Sequence, residues 1–231
     1  MTTNGYDAVL FDLDGVLTST AALHARCWKA VFDEVIEEWT RRTGEPQEPF
    51  GEGDYLAHVD GKPRYDGVRD FLAARGIDGF DIDAVADRKQ ALVEEALHRD
   101  GVEAFPGSVE WVLHLRRTGV RTAVVSSSAN AGDVLRAAGI AGLFDLTVDG
   151  HDVASLGLRG KPAPDGFLEA ARRLGVDPGR AVVVEDALAG VAAGRDGDFG
   201  LVIGVARSAA HEDLRSAGAD IVVDDLGELL P

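Results

Sequence analysis

The sequence predicts an α/β protein in which a doubly wound parallel β-sheet carries an inserted α-helical segment. Two patterns support this prediction. From residue 105 onward, short apolar runs alternate with amphipathic helical stretches, as expected of parallel strands joined by right-handed crossovers. Between residues 18 and 104 the apolar periodicity is helical, and no convincing strand pattern occurs. The apolar run at residues 6–11 precedes that segment and is assigned to the same sheet as its first strand.

The inserted segment is predicted to contain at least three helices. Apolar side chains at helix-like spacing over residues 23–36 indicate the first one. Residues 41–53 are rich in Gly, Pro and Glu and are interpreted as a loop. Helical patterns resume at residues 66–75 and 82–99, and Gly76 is placed to cap the first of these.

The rest of the chain supplies five more strands and the helices between them. The strands are predicted at residues 121–125, 144–148, 181–184, 201–205 and 220–223. The helices are predicted at residues 108–118, 131–138, 164–174, 187–195 and 210–217. We therefore predict two parts, a core segment of residues 1–17 and 105–231 and a helical cap segment of residues 18–104.

Charge restricts the possible partners. The chain of 231 residues has a formal charge of −17, from 23 basic and 40 acidic side chains. Such a surface repels nucleic acid and anionic membranes, because no basic stripe is present to neutralise phosphates. We therefore expect neither as a partner. A phosphate site in this chain has to create its own positive potential, from a metal ion, a buried lysine or helix N-termini.

Cysteine content and the distribution of apolar residues predict the cellular setting. Cys27 is the only cysteine, so no intramolecular disulfide is possible, and we expect a small buried side chain. No apolar run approaches the roughly 20 residues of a membrane span, and residues 1–7 lack the features of a signal peptide. We expect a cytoplasmic, monomeric protein.

Polar side chains follow three of the predicted strands at the point where each strand ends. In an open parallel sheet, ligands bind outside the carboxyl ends of the strands, so these side chains are expected to meet at one edge. They are Asp12 and Asp14 after the first strand, Ser126, Ser127 and Ser128 after the second, Glu185 and Asp186 after the strand at 181–184, and Lys161 before the helix at 164–174.

The carboxylates in this set predict a Mg²⁺ site. An extended backbone turns Asp12 and Asp14 toward the same side, and such close carboxylates repel each other unless a cation lies nearby. Glu185 and Asp186 add further negative charge, which suits hard oxygen ligands around Mg²⁺. We therefore predict these four residues as the metal ligands. The metal would shield the repulsion between a carboxylate and a phosphate oxygen.

The same set supplies the groups that phosphoryl transfer requires. Asp12 is the predicted nucleophile that takes the phosphoryl group. Lys161 would place a point charge on the transferring oxygens, and Ser126 would donate a hydrogen bond to them. Asp14 is placed to protonate the leaving oxygen and later to deprotonate the acceptor hydroxyl.

Each feature also has a structural explanation when it is taken alone. The residues at 12–15 are compatible with a simple turn, the serines with helix capping, and Lys161 with the surface. Four such features at strand ends, in a suitable order, favour function instead. His24 stays open between an interface residue and a functional one.

At these residues the chain resembles the haloacid-dehalogenase-like superfamily, in the subgroup with a helical cap after the first strand. The resemblance rests on four motifs in order, namely residues 12–16, Ser126, residues 160–162 and residues 184–187. It implies a Rossmann-like core, Mg²⁺ as the cofactor and an aspartyl phosphate formed on Asp12.

Within that superfamily the chain is similar to the β-phosphoglucomutase-like subgroup. Residues 17–21, His24 and Trp28 match its opening, and residues 61–64 resemble a cap loop whose arginine grips the second, non-transferring phosphate. Residues 88–90 resemble a cap-helix motif whose lysine couples the cap to the acid/base. The implied substrate-binding residues are Thr20, His24, Arg64, Lys89, Ser127, Ser128 and Asn130.

The resemblance implies interconversion of β-glucose 1-phosphate and glucose 6-phosphate through a bisphosphate, so the expected partner is a small phosphorylated sugar. Ser19, Ala129 and Asp60 depart from the subgroup, which commonly has an aspartate at the first position and lysines at the other two. Lys62 could compensate for the charge lost at Asp60. A phosphatase acting on a sugar phosphate or another small ester is therefore an alternative, and a non-catalytic binding protein is a third.

Overall fold

The computed structural model of the protein describes residues 5–207 and 209–231. Within them, six parallel strands form one sheet in the order β3-β2-β1-β4-β5-β6. The strands are β1 (Ala8–Phe11), β2 (Arg121–Val125), β3 (Leu146–Val148), β4 (Ala181–Glu185), β5 (Leu201–Val205) and β6 (Ile221–Val223). The predicted doubly wound sheet is therefore confirmed.

The cap segment is built from helices around an aromatic cluster. Its elements are α1 (Ala21–Thr43), α2 (Glu52–Asp54), a π-helix (Tyr55–Val59), α3 (Arg64–Arg75) and α4 (Ile82–Asp100). The ring centroid of Phe32 lies 5.0 Å from that of Phe50 and 4.0 Å from that of Phe71. Gly76 ends α3 with a φ of 63°, as predicted for a C-cap.

Helices cover both faces of the sheet. They are α5 (Pro106–Arg117), α6 (Ala131–Ala137), α7 (Gly150–Ser155), α8 (Asp165–Leu174), α9 (Leu188–Asp196) and α10 (His211–Ala217). Strand β1 explains this arrangement, because Val9 and Phe11 pack with Trp111 of α5 while Leu10 packs in the layer of Phe167 of α8. Within the described residues, no helix combines the length and apolarity that crossing a bilayer requires.

The register of the central strands aligns their carboxyl ends. Phe11, at the end of β1, pairs with Val124 of β2 on one side and with Val184 of β4 on the other. All four residues of β1 are fully buried, so this strand ends in the middle of the molecule. The residues that follow the three strands therefore leave the sheet at the same edge.

The differences from the predicted elements lie in the short ones and at helix ends. Helix α1 continues to Thr43, inside the loop predicted at residues 41–53, and Gly44 ends it with a φ of 77°. The π-helix (Tyr55–Val59) and α7 were not predicted, because five or six residues are too few to display a helical period. Strand β3 is three residues long, shorter than the predicted range of 144–148.

Two linkers join the cap segment to the sheet, and they run side by side. The Ser19 N–H donates to the Glu103 carbonyl, and the Phe105 N–H donates to the Leu17 carbonyl, both at 3.0 Å. Thr18, which lies between Leu17 and Ser19 in the first linker, is fully buried. The entry to and the exit from the cap segment are therefore tied to each other by main-chain hydrogen bonds.

Candidate active site

The residues predicted to do chemistry meet at the carboxyl edge of the sheet. Asp12 follows β1, Ser126 follows β2 and Glu185 ends β4, and all three are buried. Lys161 comes from the loop between α7 and α8 and is only 7% exposed. Side chains from distant parts of the chain therefore share one small region.

Two glycines let acidic side chains pack against the main chain there. Gly15 has a φ of 90°, and a Cβ at this position would overlap the Asp186 carboxylate. Gly190 in α9 lies in the same way against the Glu185 carboxylate. The glycine of the D-x-D-G pattern therefore makes space for a carboxylate that is more than 170 residues away in sequence.

Lys161 lies at the centre of this region. Its Nζ donates to Asp12 Oδ1 at 2.5 Å, to Glu185 Oε1 at 2.6 Å and to the Val125 carbonyl at 3.2 Å. Burial alone would lower the pKa of Lys161, but the two carboxylates outweigh burial and raise it. The ammonium therefore stays charged, and it offsets part of the negative charge that the carboxylates bring to this region.

Asp12, Glu185 and Asp186 form an acidic trio that can hold a cation. One carboxylate oxygen of each lies within 4.8 Å of the others. Burial raises the pKa of Asp12 and of Asp186 well above the usual range, and the neighbouring carboxylates add to this effect. A divalent cation would reverse that repulsion, and carboxylate oxygens are the ligands that Mg²⁺ prefers. The donor set therefore fits such an ion.

Within the trio, Glu185 differs from its two partners. Its Oε1 accepts from Lys161, and its Oε2 accepts the main-chain N–H groups of Asp186 and Ala187, both at 3.0 Å. Its carboxylate is thus already held by three donors. Asp12 and Asp186 are the members with an oxygen that has no such donor among the described residues, so they are the stronger candidates for direct metal contact.

The Asp14 carboxylate lies outside the trio, although we predicted it as a metal ligand. Its Oδ1 accepts from the Thr20 hydroxyl and lies 3.4 Å from His24 Nε2, an ion-pair distance. Burial would raise the pKa of Asp14, but the His24 ring and the Thr20 hydrogen bond lower it to about 2. Lys89 Nζ of α4 is 2.7 Å from His24 Nδ1 of α1. Helix α4 is therefore connected to Asp14 through His24.

The serines after β2 have three different environments. Ser126 is 2% exposed, and its Oγ accepts the Ser128 N–H at 3.1 Å, which leaves its own O–H free to donate. The Ser127 hydroxyl donates to the Gly61 carbonyl of the cap segment at 2.9 Å. The Ser128 hydroxyl accepts the Asn130 N–H at 3.2 Å. Ser127 therefore joins the two segments, a contact that sequence reasoning did not predict.

Arg64 and Asn130 are brought together by a residue that sequence reasoning did not select. Gln90 accepts from Arg64 Nη1 at 2.9 Å and donates to Asn130 Oδ1 at 2.8 Å. Arg64 Nε and Asn130 Nδ2 are buried and have no hydrogen-bond partner among the described residues. Two unpaired buried donors, on side chains that share Gln90 as a partner, suit an anionic ligand. The signal in the sequence was the position of Gln90 directly after Lys89, within a motif noted only for its lysine.

Lys62 does not fill the place of the missing cap lysine in this structure. Its Nζ lies 2.7 Å from Asp70 Oδ2, and it also reaches the Ala57 carbonyl at 3.4 Å. The ammonium is thus engaged within the cap segment itself.

One cavity of about 390 Å³ connects these groups. Both segments line it, with Asp12, Asp186 and Ser126 on the core side and His24 and Arg64 on the cap side. Its size lies at the small end of the range for ligand pockets. Three further side chains that we did not predict also line it, namely Tyr55, Asp60 and His151.

Comparisons with known proteins agree with this geometry. The family model of haloacid dehalogenase-like hydrolases matches residues 6–198. A β-phosphoglucomutase of Mycobacterium tuberculosis is 47% identical, over 96% of this chain and 91% of that protein. Hexitol phosphatase A of Escherichia coli is 35% identical, over 80% of this chain and 76% of that protein. Among solved structures, a β-phosphoglucomutase from Clostridium difficile matches with a TM-score of 0.79 at 24% identity, over 97% of this chain and 93% of that one, which is a likeness of fold.

Proposed function

Because the chain belongs to the haloacid dehalogenase-like hydrolase family, we propose that it is a Mg²⁺-dependent mutase of the β-phosphoglucomutase type. It would interconvert β-glucose 1-phosphate and glucose 6-phosphate. The observation that carries this proposal is that one cavity is lined by two separate groups of side chains that could each hold a phosphate. Lys161 beside Asp12 serves the first, and the unpaired donors of Arg64 and Asn130 serve the second. A substrate that carries phosphate at both ends requires both sites.

In the first half-reaction, Asp12 carries the phosphoryl group as an aspartyl phosphate. The sugar hydroxyl attacks the phosphorus, the bond from phosphorus to the Asp12 oxygen breaks, and Asp14 takes the hydroxyl proton. Although burial alone would raise it, His24 and Thr20 lower the pKa of Asp14 to about 2, so Asp14 is ionised before the sugar binds and has an open site for the proton that the hydroxyl loses as its bond to phosphorus forms. The products are a sugar bisphosphate and a protonated Asp14.

In the second half-reaction, the bisphosphate presents its other phosphate to Asp12. Asp12 attacks that phosphorus, and the protonated Asp14 returns its proton to the departing sugar oxygen. Ser126 and Lys161 would hold the transferring oxygens in both steps. Proton and phosphoryl group therefore balance over the cycle, and the enzyme ends as it began.

Mg²⁺ would be held by Asp12 and Asp186, with Glu185 behind them. When bound, it supplies positive charge that offsets the repulsion between the Asp12 carboxylate and a phosphate dianion. The trio around Lys161 supports this assignment, since its carboxylates are close together and buried. Asp14, which faces Thr20 and His24, would serve as acid/base through its side chain.

The two linkers support the proposal that residues 18–104 move as one cap. Main-chain hydrogen bonds tie the linkers together at Ser19 and Phe105, so the helices beyond them can rotate as a unit. The Ser127–Gly61 contact would form on closure and exclude water from the aspartyl phosphate.

A phosphatase is a second candidate, and one observation favours it. Lys62 is paired with Asp70, while Ala129 and Asp60 stand where the mutase subgroup commonly has lysines. Of the charged side chains considered for the second phosphate, Arg64 is then the one that keeps an unpaired buried donor among the described residues. A weaker hold on the bisphosphate would let water reach the aspartyl phosphate.

The deciding experiment incubates the purified protein with Mg²⁺ and β-glucose 1-phosphate, primed with a trace of the bisphosphate. We expect glucose 6-phosphate to form, and the α anomer, as the control, to give none. Release of inorganic phosphate without glucose 6-phosphate would replace the mutase by the phosphatase.

We also propose a monomeric, cytoplasmic protein. Among the described residues, the large hydrophobic side chains that are exposed are three scattered ones, Tyr65, Leu113 and Leu156, so no broad apolar patch supports a stable dimer. Cys27 is buried and free, which suits a reducing compartment. Light scattering coupled to gel filtration tests the oligomeric state, and a mass of two chains would contradict it.

A further inference from the structure

The cap segment contributes a carboxylate, Asp60, to the cavity that the acidic trio also lines. The π-helix (Tyr55–Val59) ends where the Asp60 N–H donates to the Tyr55 carbonyl at 2.9 Å, so one wide turn brings these two side chains to the same side. Both line the active-site cavity. A carboxylate at position 60 departs from the resembling subgroup, which commonly has a lysine there.

The surroundings of Asp60 are acidic. Burial raises the pKa of Asp60 to about 6, and the charges of Glu185 and Asp14 add to the effect. The neighbouring Tyr55 hydroxyl and the charge of Lys161 act in the opposite direction. No lysine or arginine forms an ion pair with Asp60 among the described residues. Its carboxylate thus has a neutral neighbour, the Tyr55 hydroxyl, and unused acceptor capacity.

The main chain holds Asp60 in this position. Gly61 has a φ of 70°, and a Cβ there would lie 2.9 Å from Ala187 Cβ, so the loop fits closely against the core segment. The Ser127 hydroxyl fastens the same loop by donating to the Gly61 carbonyl at 2.9 Å. Asp60 therefore cannot withdraw from the cavity while these contacts last.

A carboxylate fixed in this way repels a phosphate oxygen but accepts hydrogen bonds from hydroxyl groups. Phosphate has its own donors elsewhere, at Lys161 and at Arg64. What remains for Asp60 is the neutral, hydroxyl-bearing part of the ligand that lies between the two phosphates. Carboxylates suit this task, because their two oxygens can accept from neighbouring hydroxyls.

We propose that Asp60, oriented by Tyr55, is a specificity-determining residue that accepts hydrogen bonds from ring hydroxyls of the sugar phosphate. The inference rests on the proposed function for the nature of the ligand. It adds that the cap recognises the sugar ring through a carboxylate. A lysine at this position would instead favour a further contact with a phosphate.

The test pairs one protein change with changes in the substrate. The rate constant kcat/KM is measured for wild type and Asp60→Asn with β-glucose 1-phosphate and with its 2-deoxy, 3-deoxy and 4-deoxy analogues. Total turnover is scored as glucose 6-phosphate or its deoxy analogue plus inorganic phosphate. We expect Asp60→Asn to lower kcat/KM for β-glucose 1-phosphate by roughly 10- to 100-fold. For at least one deoxy analogue the variant and the wild type should differ by less than about threefold, since the hydroxyl that Asp60 accepts from is absent.

Two further variants serve as comparisons for Asp60→Asn. Tyr55→Phe should show the same dependence on the missing hydroxyl with a smaller loss, because it removes only the group that orients Asp60. Asp78→Asn removes an exposed carboxylate from the same cap segment and should change none of the rates. Hydrolysis of p-nitrophenyl phosphate, which has no sugar ring, should change little in Asp60→Asn.

An equal loss for β-glucose 1-phosphate and all three analogues would overturn the inference. A loss that added Mg²⁺ restores would also overturn it, since Asp60 would then be a cation ligand. Failure of the proposed function looks different, because the wild type would then release phosphate or leave β-glucose 1-phosphate unchanged. In that last case the four sugar phosphates are compared as inhibitors of p-nitrophenyl phosphate hydrolysis, with the same pattern expected in their inhibition constants.

Discussion

The core side and the cap side of the cavity are built on different principles. On the core side Lys161, Asp12 and Glu185 are buried and bonded to one another, and main-chain groups such as the Val125 carbonyl complete the arrangement. On the cap side, Arg64 is held by other side chains and keeps an unpaired buried nitrogen. The difference indicates that the sheet edge provides a fixed chemistry, while the cap provides selectivity that a few side chains can alter.

Electrostatics shows the same division. The core side gathers three carboxylates, two of which contact one ammonium, an arrangement that suits a divalent cation and a phosphoryl group. The cap side mixes charges, because Arg64, Lys89 and Asp60 line the same cavity. Each prediction below changes one side and asks whether the other side responds.

The largest effect is expected on the core side, from Asp12→Asn. This change keeps the shape of the side chain but removes the nucleophilic carboxylate, so both mutase turnover and hydrolysis of p-nitrophenyl phosphate should be abolished. Steady-state assays of the two reactions provide the measurement. Activity retained in either reaction would take Asp12 out of the nucleophile role.

Loss of the central ammonium should damage both catalysis and stability. Lys161→Met leaves the buried carboxylates of Asp12 and Glu185 without their partner, and we expect the free energy of unfolding to fall by about 3–5 kcal/mol. Urea denaturation measures it, with Lys29→Met as the control, because the Lys29 side chain is 54% exposed and contacts Asp33 and the Phe50 carbonyl instead of the acidic trio.

Added Mg²⁺ should recover part of the stability lost in Lys161→Met, since the ion would neutralise the same carboxylates. If Lys161→Met unfolded at the same urea concentration as wild type, with or without Mg²⁺, the ammonium would not be what holds this cluster together.

On the cap side, Arg64→Ala should separate the two reactions. Mutase kcat/KM should fall by about 100-fold, because a buried, charge-assisted contact to the second phosphate is lost. Hydrolysis of p-nitrophenyl phosphate, which carries no second phosphate, should stay within about threefold of wild type.

The matched control for Arg64→Ala is Arg88→Ala, an exposed arginine of the same cap segment that pairs with Glu34. It should leave both reactions unchanged. If Arg64→Ala reduced the two reactions by the same factor, Arg64 would not hold the second phosphate.

The smallest effect concerns pH. Burial lowers the pKa of Lys89 to about 8, so the ammonium next to His24 is present below that pH and disappears above it. Mutase kcat/KM should therefore decline by about three- to tenfold as the pH rises through 8, because a charge-assisted contact becomes a neutral one. The pH profile of Lys89→Met should lack this decline. A decline of the same size in that variant would assign the titration to another group.

The core side could be predicted from the sequence because its signals are local. Asp12 and Glu185 lie at or next to the ends of apolar strands that are easy to recognise, and the parallel sheet brings those ends together. Lys161 was found in the same way, before a predicted helix. Its bond to Glu185 follows from the burial of both residues, which the fold provides.

The cap side could not be predicted to the same depth. The link from Arg64 through Gln90 to Asn130 joins two helices and a core loop, and no spacing rule connects residues in three separate elements. The π-helix (Tyr55–Val59) that precedes Asp60 is too short to display a helical period in the sequence. Asp14 was predicted as a metal ligand from its distance to Asp12 in sequence, and the contacts of its carboxylate with Thr20 and His24 could not be read from that spacing.

The most direct test of the account is to trap the phosphorylated enzyme. The protein is mixed with Mg²⁺ and the sugar bisphosphate, quenched in acid, digested and examined by mass spectrometry. The account predicts one added phosphoryl group on the peptide that contains Asp12, and its transfer into glucose 6-phosphate when β-glucose 1-phosphate is added before the quench. A phosphoryl group on any other residue, or none under conditions of full turnover, would contradict the account.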